Sequence, residues 1–250
     1  MSAPRLYCRP LFAGSLGLAS EESHHGIKVL RLRLGDPLVL FDGVGGEAAA
    51  VVLRIERRGL FVTAGTPTTR PFDLSRRLTL AVALPKVPHQ SALFEKCTEL
   101  GVAAIRPIHA ERSVFRPGDE ASRKWARWMI EAARQSRRAW VPEILEPMTF
   151  QESLCKAGEF DAAAIAHPHG FSEPFREWIA ACVPGSSIIV WIGPEGGWTA
   201  DELDAAARAG IRRTRLSPTI LRTETAAMAV CVLTAALDRE PLLPNDSAEE

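Results

Sequence analysis

Apolar and polar positions change rhythm near residue 70. Before that point the apolar runs are short and closely spaced. Residues 37–42, 48–56 and 60–64 read as strands, separated by a glycine turn at 43–46 and a hairpin break at Arg57-Arg58-Gly59. Ser20 followed by Glu21 and Glu22 opens a helix, because acidic side chains favour the positive end of the helix dipole, and Gly35-Asp36-Pro37 ends that segment. Several short strands in so small a span predict a small β-barrel. Residues 66–71 (TPTTRP) read as a linker. From residue 78 strands and helices alternate. Strands are expected at 78–84, 102–108, 161–166, 187–192 and 211–216, and helices at 90–100, 120–138, 173–182, 199–209 and 224–237. Such alternation predicts an α/β domain with a parallel sheet covered on both faces, whose ligands bind beyond the carboxyl ends of the strands. The expected domains are 1–72 and 73–250, with a polar, mobile tail at about 241–250.

Composition narrows the class. Apolar residues at 46% and charged residues at 24% of 250 match ordinary globular usage. No apolar run reaches the ~18 residues of a membrane span, and the N-terminus lacks the apolar core of a secretory signal. Cys8, Cys97, Cys155, Cys182 and Cys231 are widely spaced with no CxxC pair, which argues against a disulfide framework or structural zinc and for a reducing cytoplasm. His24-His25 and His167-Pro168-His169 lack a spaced third ligand and read as surface histidines, so no metal is expected. The 30 basic and 30 acidic residues cancel, but not evenly. Residues 1–77 and 78–145 each carry 11 basic against 7 acidic groups, while 146–250 carry 8 against 16. The first 145 residues are therefore basic enough to suit a polyanionic partner.

Two segments carry the chemistry. In 188–202 (IIVWIGPEGGWTADE) an apolar strand runs into a turn with three glycines, one proline and one acid. Thr199 and Glu202 then form a capping box that starts a helix. The turn lacks the GK[ST] and GxGxxG of phosphate loops, and Glu195 would repel phosphate, so a cationic or zwitterionic ligand suits it better. In 216–232 (LSPTILRTETAAMAVCV) a strand ends, a short loop follows, and a helix without charge from Thr225 to Leu237 begins near Thr223. Arg222 and Glu224 sit at the start of that buried helix, where charges need partners or a function.

These segments resemble the paired signatures of the RsmE family of bacterial 16S rRNA (uracil-N3) methyltransferases, members of the SPOUT superfamily: GPEGG at 193–197 and LRxETA at 221–226. The likeness extends over nearly the whole chain in order. It includes Pro4-Arg5-Leu6-Tyr7, residues 25–32, Gly35-Asp36, Phe41-Asp42-Gly43, Lys86, EKCTELGV at 95–102, Glu131-Ala132-Ala133, Gln135 and Val141-Pro142-Glu143-Ile144.

The resemblance implies a C-terminal SPOUT methyltransferase domain with a trefoil knot, a small N-terminal PUA-like β-barrel that grips RNA, S-adenosyl-L-methionine as cofactor, 16S rRNA of the small ribosomal subunit as substrate, and a homodimer joined through the last helix. On this reading the cofactor site comprises Ala166, His167, Ile192, Gly193, Glu195, Gly196, Gly197, Leu216, Ser217, Leu221 and Thr225. Arg222 would stabilise negative charge developing on the uracil oxygens, and Glu224 would orient Arg222 or handle the proton of N3. Arg5, Arg9, His25, Lys28, Arg31, Arg33 and Lys86 are the expected RNA contacts. Trp125, Trp128 and Met129 read as a core stripe. Arg123, Lys124, Arg127, Arg134, Arg137 and Arg138 on the same helix suit either phosphate contact or a solvated face. The chain departs from the family's LGxRILRxETA at Ser217 and Thr219, and Arg134 replaces an acid. The competing readings are a non-catalytic RNA-binding or ribosome-assembly protein on the same fold, and a methyltransferase for another RNA.

Overall fold

The computed structural model describes residues 3–57, 59–118, 120–170 and 172–237; the tail expected at 241–250 lies outside them. The chain forms two compact units, Met1–Phe72 with Ile130–Val141, and Asp73–Met129 with Pro142–Glu250.

The first unit contains β1 (Arg5–Tyr7), β2 (Gly14–Gly17), α1 (Ser20–His24) running into a π-helical turn at His25–Val29, β3 (Pro37–Phe41), β4 (Gly46–Ile55), β5 (Leu60–Ala64) and β6 (Thr68–Thr69). The strand order is β1-β3-β4-β5-β2, with β6 against β4. Along β4 the residues Ala48, Ala50 and Val52 are buried and their neighbours Ala49, Val51 and Leu53 are not, the two-residue period of a sheet with one wet face. Leu6 of β1 and Leu16 of β2, at opposite ends of the strand order, share one buried cluster with Leu40 and Val62. The sheet therefore curls around its own core.

Residues 66–71 are not the linker that their composition suggested. Thr68 and Thr69 pair with Glu47 and Gly46, and Arg70 forms an ion pair with Glu47 at 2.8 Å. Residues 130–141, expected in the second domain, group with the first unit. The cause lies in polar groups that need distant partners. Arg134 is 8% exposed and pairs with Glu22 at 2.6 Å. The Trp140 indole donates to the carbonyls of Arg70 at 3.2 Å and Pro71 at 2.9 Å. Gly45, at φ +98°, leaves room for that ring: a Cβ there would come within 2.5 Å of it.

The second unit contains β7 (Arg77–Val82), α2 (Val87–Glu99), β8 (Ala104–His109), α3 (Ala121–Gln135, shared with the first unit), β9 (Glu143–Ile144), β10 (Met148–Thr149), α4 (Phe150–Cys155), β11 (Ala162–Ala166), β12 (Glu173–Pro174), α5 (Phe175–Ala181), β13 (Ser187–Ile192), α6 (Ala200–Arg208), β14 (Arg212–Arg215) and α7 (Thr223–Ala235). The strand order is β10-β8-β7-β13-β11-β14-β12 with β9 against β8, and every pairing is parallel. The helix expected at 173–182 starts two residues late, because Glu173 and Pro174 pair with β14 first. The central strands read as apolar runs because both faces are covered: residues 78–83 and 188–191 are buried throughout. Trp125 and Met129 join this core, with Trp125 stacked on Phe94 at 4.9 Å between centroids. Of the later strands, β13 pairs with β11 on one side and β14 pairs with it on the other. Reversals of this kind open a crevice at the carboxyl ends of the strands. Among the described residues no helix is long and apolar enough to cross a membrane.

Candidate functional site

The crevice is a pocket of about 320 Å³ built at the ends of three adjacent strands: Ala166 and His167 at the end of β11, Ile192 to Gly197 at the end of β13, and Leu216 and Ser217 after β14. Leu221, Thr223 and Ala226 bring the start of α7 into the same wall. All the residues expected to hold a cofactor line it except Thr225, which is exposed and lies outside the lining.

The turn after β13 is shaped by packing. At Gly193 a Cβ would come within 2.9 Å of the Trp198 indole. That ring cannot easily yield: it is 7% exposed, donates to Ala166 O at 3.0 Å and packs on Phe150 at 4.7 Å. The Thr223 hydroxyl donates to Gly193 O at 3.0 Å, tying α7 to the turn. Arg112 reaches over the turn and donates to Gly196 O at 2.9 Å. Gly197, at φ +69°, closes the turn back onto Pro194 O, where a side chain would be strained. The Thr199–Glu202 capping box forms as the spacing predicted, and the free oxygen of Glu202 accepts from Glu111 N at 2.9 Å.

The opposite wall is polar but not anionic. His167 Nδ1 lies 3.1 Å from the amide and 2.9 Å from the carbonyl of His169. Burial, then Arg213 and His169, push its pKa down and favour the neutral ring. Ser217 accepts from Thr219 N at 3.2 Å and its hydroxyl meets that of Thr219 at 3.0 Å, so the two departures from the family loop close one local turn. Glu195 is exposed at the mouth.

Arg222 is the N-cap residue of α7, exposed, with no side-chain ion pair among the described residues, and it stands just outside the pocket lining. Glu224 does not orient it. The Glu224 side chain is 9% exposed, and its Oε1 lies 3.5 Å from Nδ1 of His89 on α2. Its second oxygen is buried without a hydrogen-bond partner. His89 has no local sequence signal, and neither does Arg112. Trp198 and Thr223 could have been read from their places beside the two signatures.

The expected RNA contacts separate. Arg9, Lys28, Arg31 and Arg33 of the first unit are exposed, as is Lys86 at the N-cap of α2 in the second. Arg5 is not on the surface. Its side chain is 10% exposed, paired with Glu47, and donates to Arg138 O at 3.0 Å. His25 is half-buried with both ring nitrogens 3.4 Å from Arg134 Nη1, and burial and that guanidinium push its pKa down. Along α3 and beyond, Arg123, Lys124 and Arg127 are exposed while Arg134 and Arg138 are buried.

Known proteins resemble this chain in sequence and in fold. Residues 73–235 match the model of an RNA methyltransferase domain, and residues 18–64 that of an RNA methyltransferase PUA domain. The chain is 37% identical over 234 residues to the ribosomal RNA small subunit methyltransferase E of Mycobacterium bovis, covering 87% of this chain and 86% of the relative. It is 31% identical to the protein of the same name from Synechocystis, covering 90% of this chain and 74% of that one. The crystal structure of ribosomal RNA small subunit methyltransferase E from Neisseria gonorrhoeae, bound to S-adenosyl methionine, superposes with a TM-score of 0.84 at 29% identity, covering 94% of this chain and 98% of that one.

Proposed function

The chain belongs to the ribosomal RNA small subunit methyltransferase E family, and from that membership we propose that it methylates N3 of a uridine in 16S rRNA of the small ribosomal subunit, using S-adenosylmethionine. The observation that carries the reading is the pocket beyond β11, β13 and β14, whose donor set suits this cofactor. Ile192, Leu216 and Leu221 offer apolar walls for an adenine ring, and the backbone of the two loops offers polar groups for its edge. Glu195 suits a cationic group, and Arg112 suits a carboxylate. Bound there, S-adenosylmethionine supplies an electrophilic methyl group.

The chain's own residues prepare the base. N3 of uracil carries a proton and is a poor nucleophile until that proton leaves. Arg222, beside the positive end of α7, stabilises negative charge as it develops on the uracil oxygens. Arg9, Lys28, Arg31 and Arg33 supply phosphate contacts from the PUA domain, and Lys86 supplies one from the methyltransferase domain. The trefoil knot and a cytoplasmic place of action belong to the same reading. Small subunits from a strain lacking the gene, incubated with the protein and S-adenosylmethionine, should gain N3-methyluridine in 16S rRNA by nucleoside mass spectrometry. Methylation of another RNA alone, or no cofactor binding by calorimetry, would overturn the assignment.

The homodimer has its support on α7. Thr225, Met228, Ala229, Val232, Leu233 and Ala236 recur at helical spacing, are uncharged, and are exposed or half-buried, with Val232 at 48%. A Val232→Arg variant should sediment as a monomer where the parent sediments as a dimer; a monomeric parent would remove the dimer from the reading.

A further inference from the structure

We propose that His89 is the group that takes the N3 proton of the target uracil, held in place by Glu224; this rests on the uracil-N3 reading above. Three observations converge. The first is position. Ala83 N donates to Ile192 O at 3.0 Å, so the segment leading from β7 into α2 starts beside the turn at Gly193. Glu224 directly follows Thr223, which lines the pocket and binds Gly193 O. The pair thus lies at the carboxyl edge of the sheet, one residue behind the pocket wall.

The second is an unspent acceptor. The Glu224 side chain is nine-tenths buried, yet only Oε1 has a partner, His89 Nδ1 at 3.5 Å, and Oε2 has none. That oxygen has lost its water without replacement, so the carboxylate keeps acceptor capacity to spend on a charged imidazole. The third is presentation. The His89 side chain is 41% exposed, so the ring meets a buried carboxylate on one edge and solvent on the other. Nδ1 faces Glu224, which leaves Nε2 turned away from it and open to a substrate.

The segment is also rigid. His89 N donates to Lys86 O at 3.0 Å. The buried amide of Gln90 donates to Pro85 O at 2.8 Å and accepts from the Trp125 indole at 3.1 Å. A ring carried on a tied helix start and backed by a carboxylate is the arrangement in which imidazole works as a general base. Lys86 and Arg222, on the same two helix starts, are the nearby cations along the chain.

The step balances within the protein and the base. The proton moves from N3 to Nε2, the N–H electron pair stays on N3, and the base becomes an anion whose charge is shared with its oxygens. The imidazolium formed is stabilised by Glu224 and returns the proton to solvent after the product leaves. Glu224 acts through His89 and is a positioning residue.

His89→Gln and Glu224→Gln are compared with the parent on RNA carrying uridine or 5-fluorouridine at the target. Fluorine makes N3–H more acidic and lessens the need for a base. On uridine His89→Gln should lower kcat about 100-fold, and on 5-fluorouridine less than about tenfold, with S-adenosylmethionine affinity unchanged by calorimetry. Glu224→Gln should follow the same pattern with a smaller loss. In the protein without cofactor, diethyl pyrocarbonate should modify His89, and substrate RNA should slow that modification. A His89→Gln variant with the parent rate, an equal loss on both RNAs, or no protection by RNA would overturn the proposal while the function stands. A parent that forms no N3-methyl product on either RNA would overturn both.

Discussion

Replacing Arg222 by alanine is expected to lower kcat about 10²–10³-fold, the usual cost of removing one preorganised donor to a developing oxyanion, with cofactor affinity unchanged. The structure separates those two effects. Arg222 is exposed, engages no ion pair among the described residues and does not line the pocket, so the pocket surface survives its truncation. Its side chain makes no cap hydrogen bond to α7, so the helix loses nothing when it is removed. A stopped-assay rate together with a calorimetric titration checks both halves. If turnover were intact, Arg222 would have no part in charge stabilisation. If affinity fell along with turnover, it would belong to the cofactor site instead. Lysine at 222 should recover only part of the loss, since one ammonium cannot present the planar fork of a guanidinium to two oxygens.

How much of this was legible in the sequence depends on the distance between partners. The turn at 193–197 and its capping box were readable because each partner lies within a few residues: Thr199 and Glu202 satisfy each other's backbone. The strands of the parallel sheet were readable as apolar runs, and the pocket followed from where those runs end. What failed was charge taken one residue at a time. Arg5 and Arg134 look like surface cations along the chain, yet Arg5 is paired with Glu47, and Arg134 meets Glu22, 112 positions away, as a buried ion pair. The same distance hid the allegiance of residues 130–141 and the structured role of Arg70. His89 was invisible for that reason too: its partner Glu224 is read only as an acid next to an arginine until α2 and α7 are brought together. Local rules describe elements well, whereas buried polar pairs are decided by the tertiary fold.

Gly193→Val should weaken S-adenosylmethionine binding about 100-fold, because overpacking of this kind costs up to about 3 kcal/mol and here it falls on the wall itself. Even a Cβ at this position would lie 2.9 Å from the Trp198 ring, and valine adds two methyl groups beyond it. The indole has no free direction to move: shifting it breaks the bond to Ala166 O and the contact with Phe150. If the backbone moves instead, Gly193 O leaves the Thr223 hydroxyl, and the tie between the turn and the start of α7 is lost. Either route displaces pocket residues from two loops at once, which is why one small substitution should reach the pocket, the turn and the start of α7 together. The unfolding temperature measured without cofactor tells site damage from global damage. A drop of a few degrees with binding abolished locates the effect in the pocket, whereas binding preserved at parental strength would mean that the turn is not part of the cofactor site.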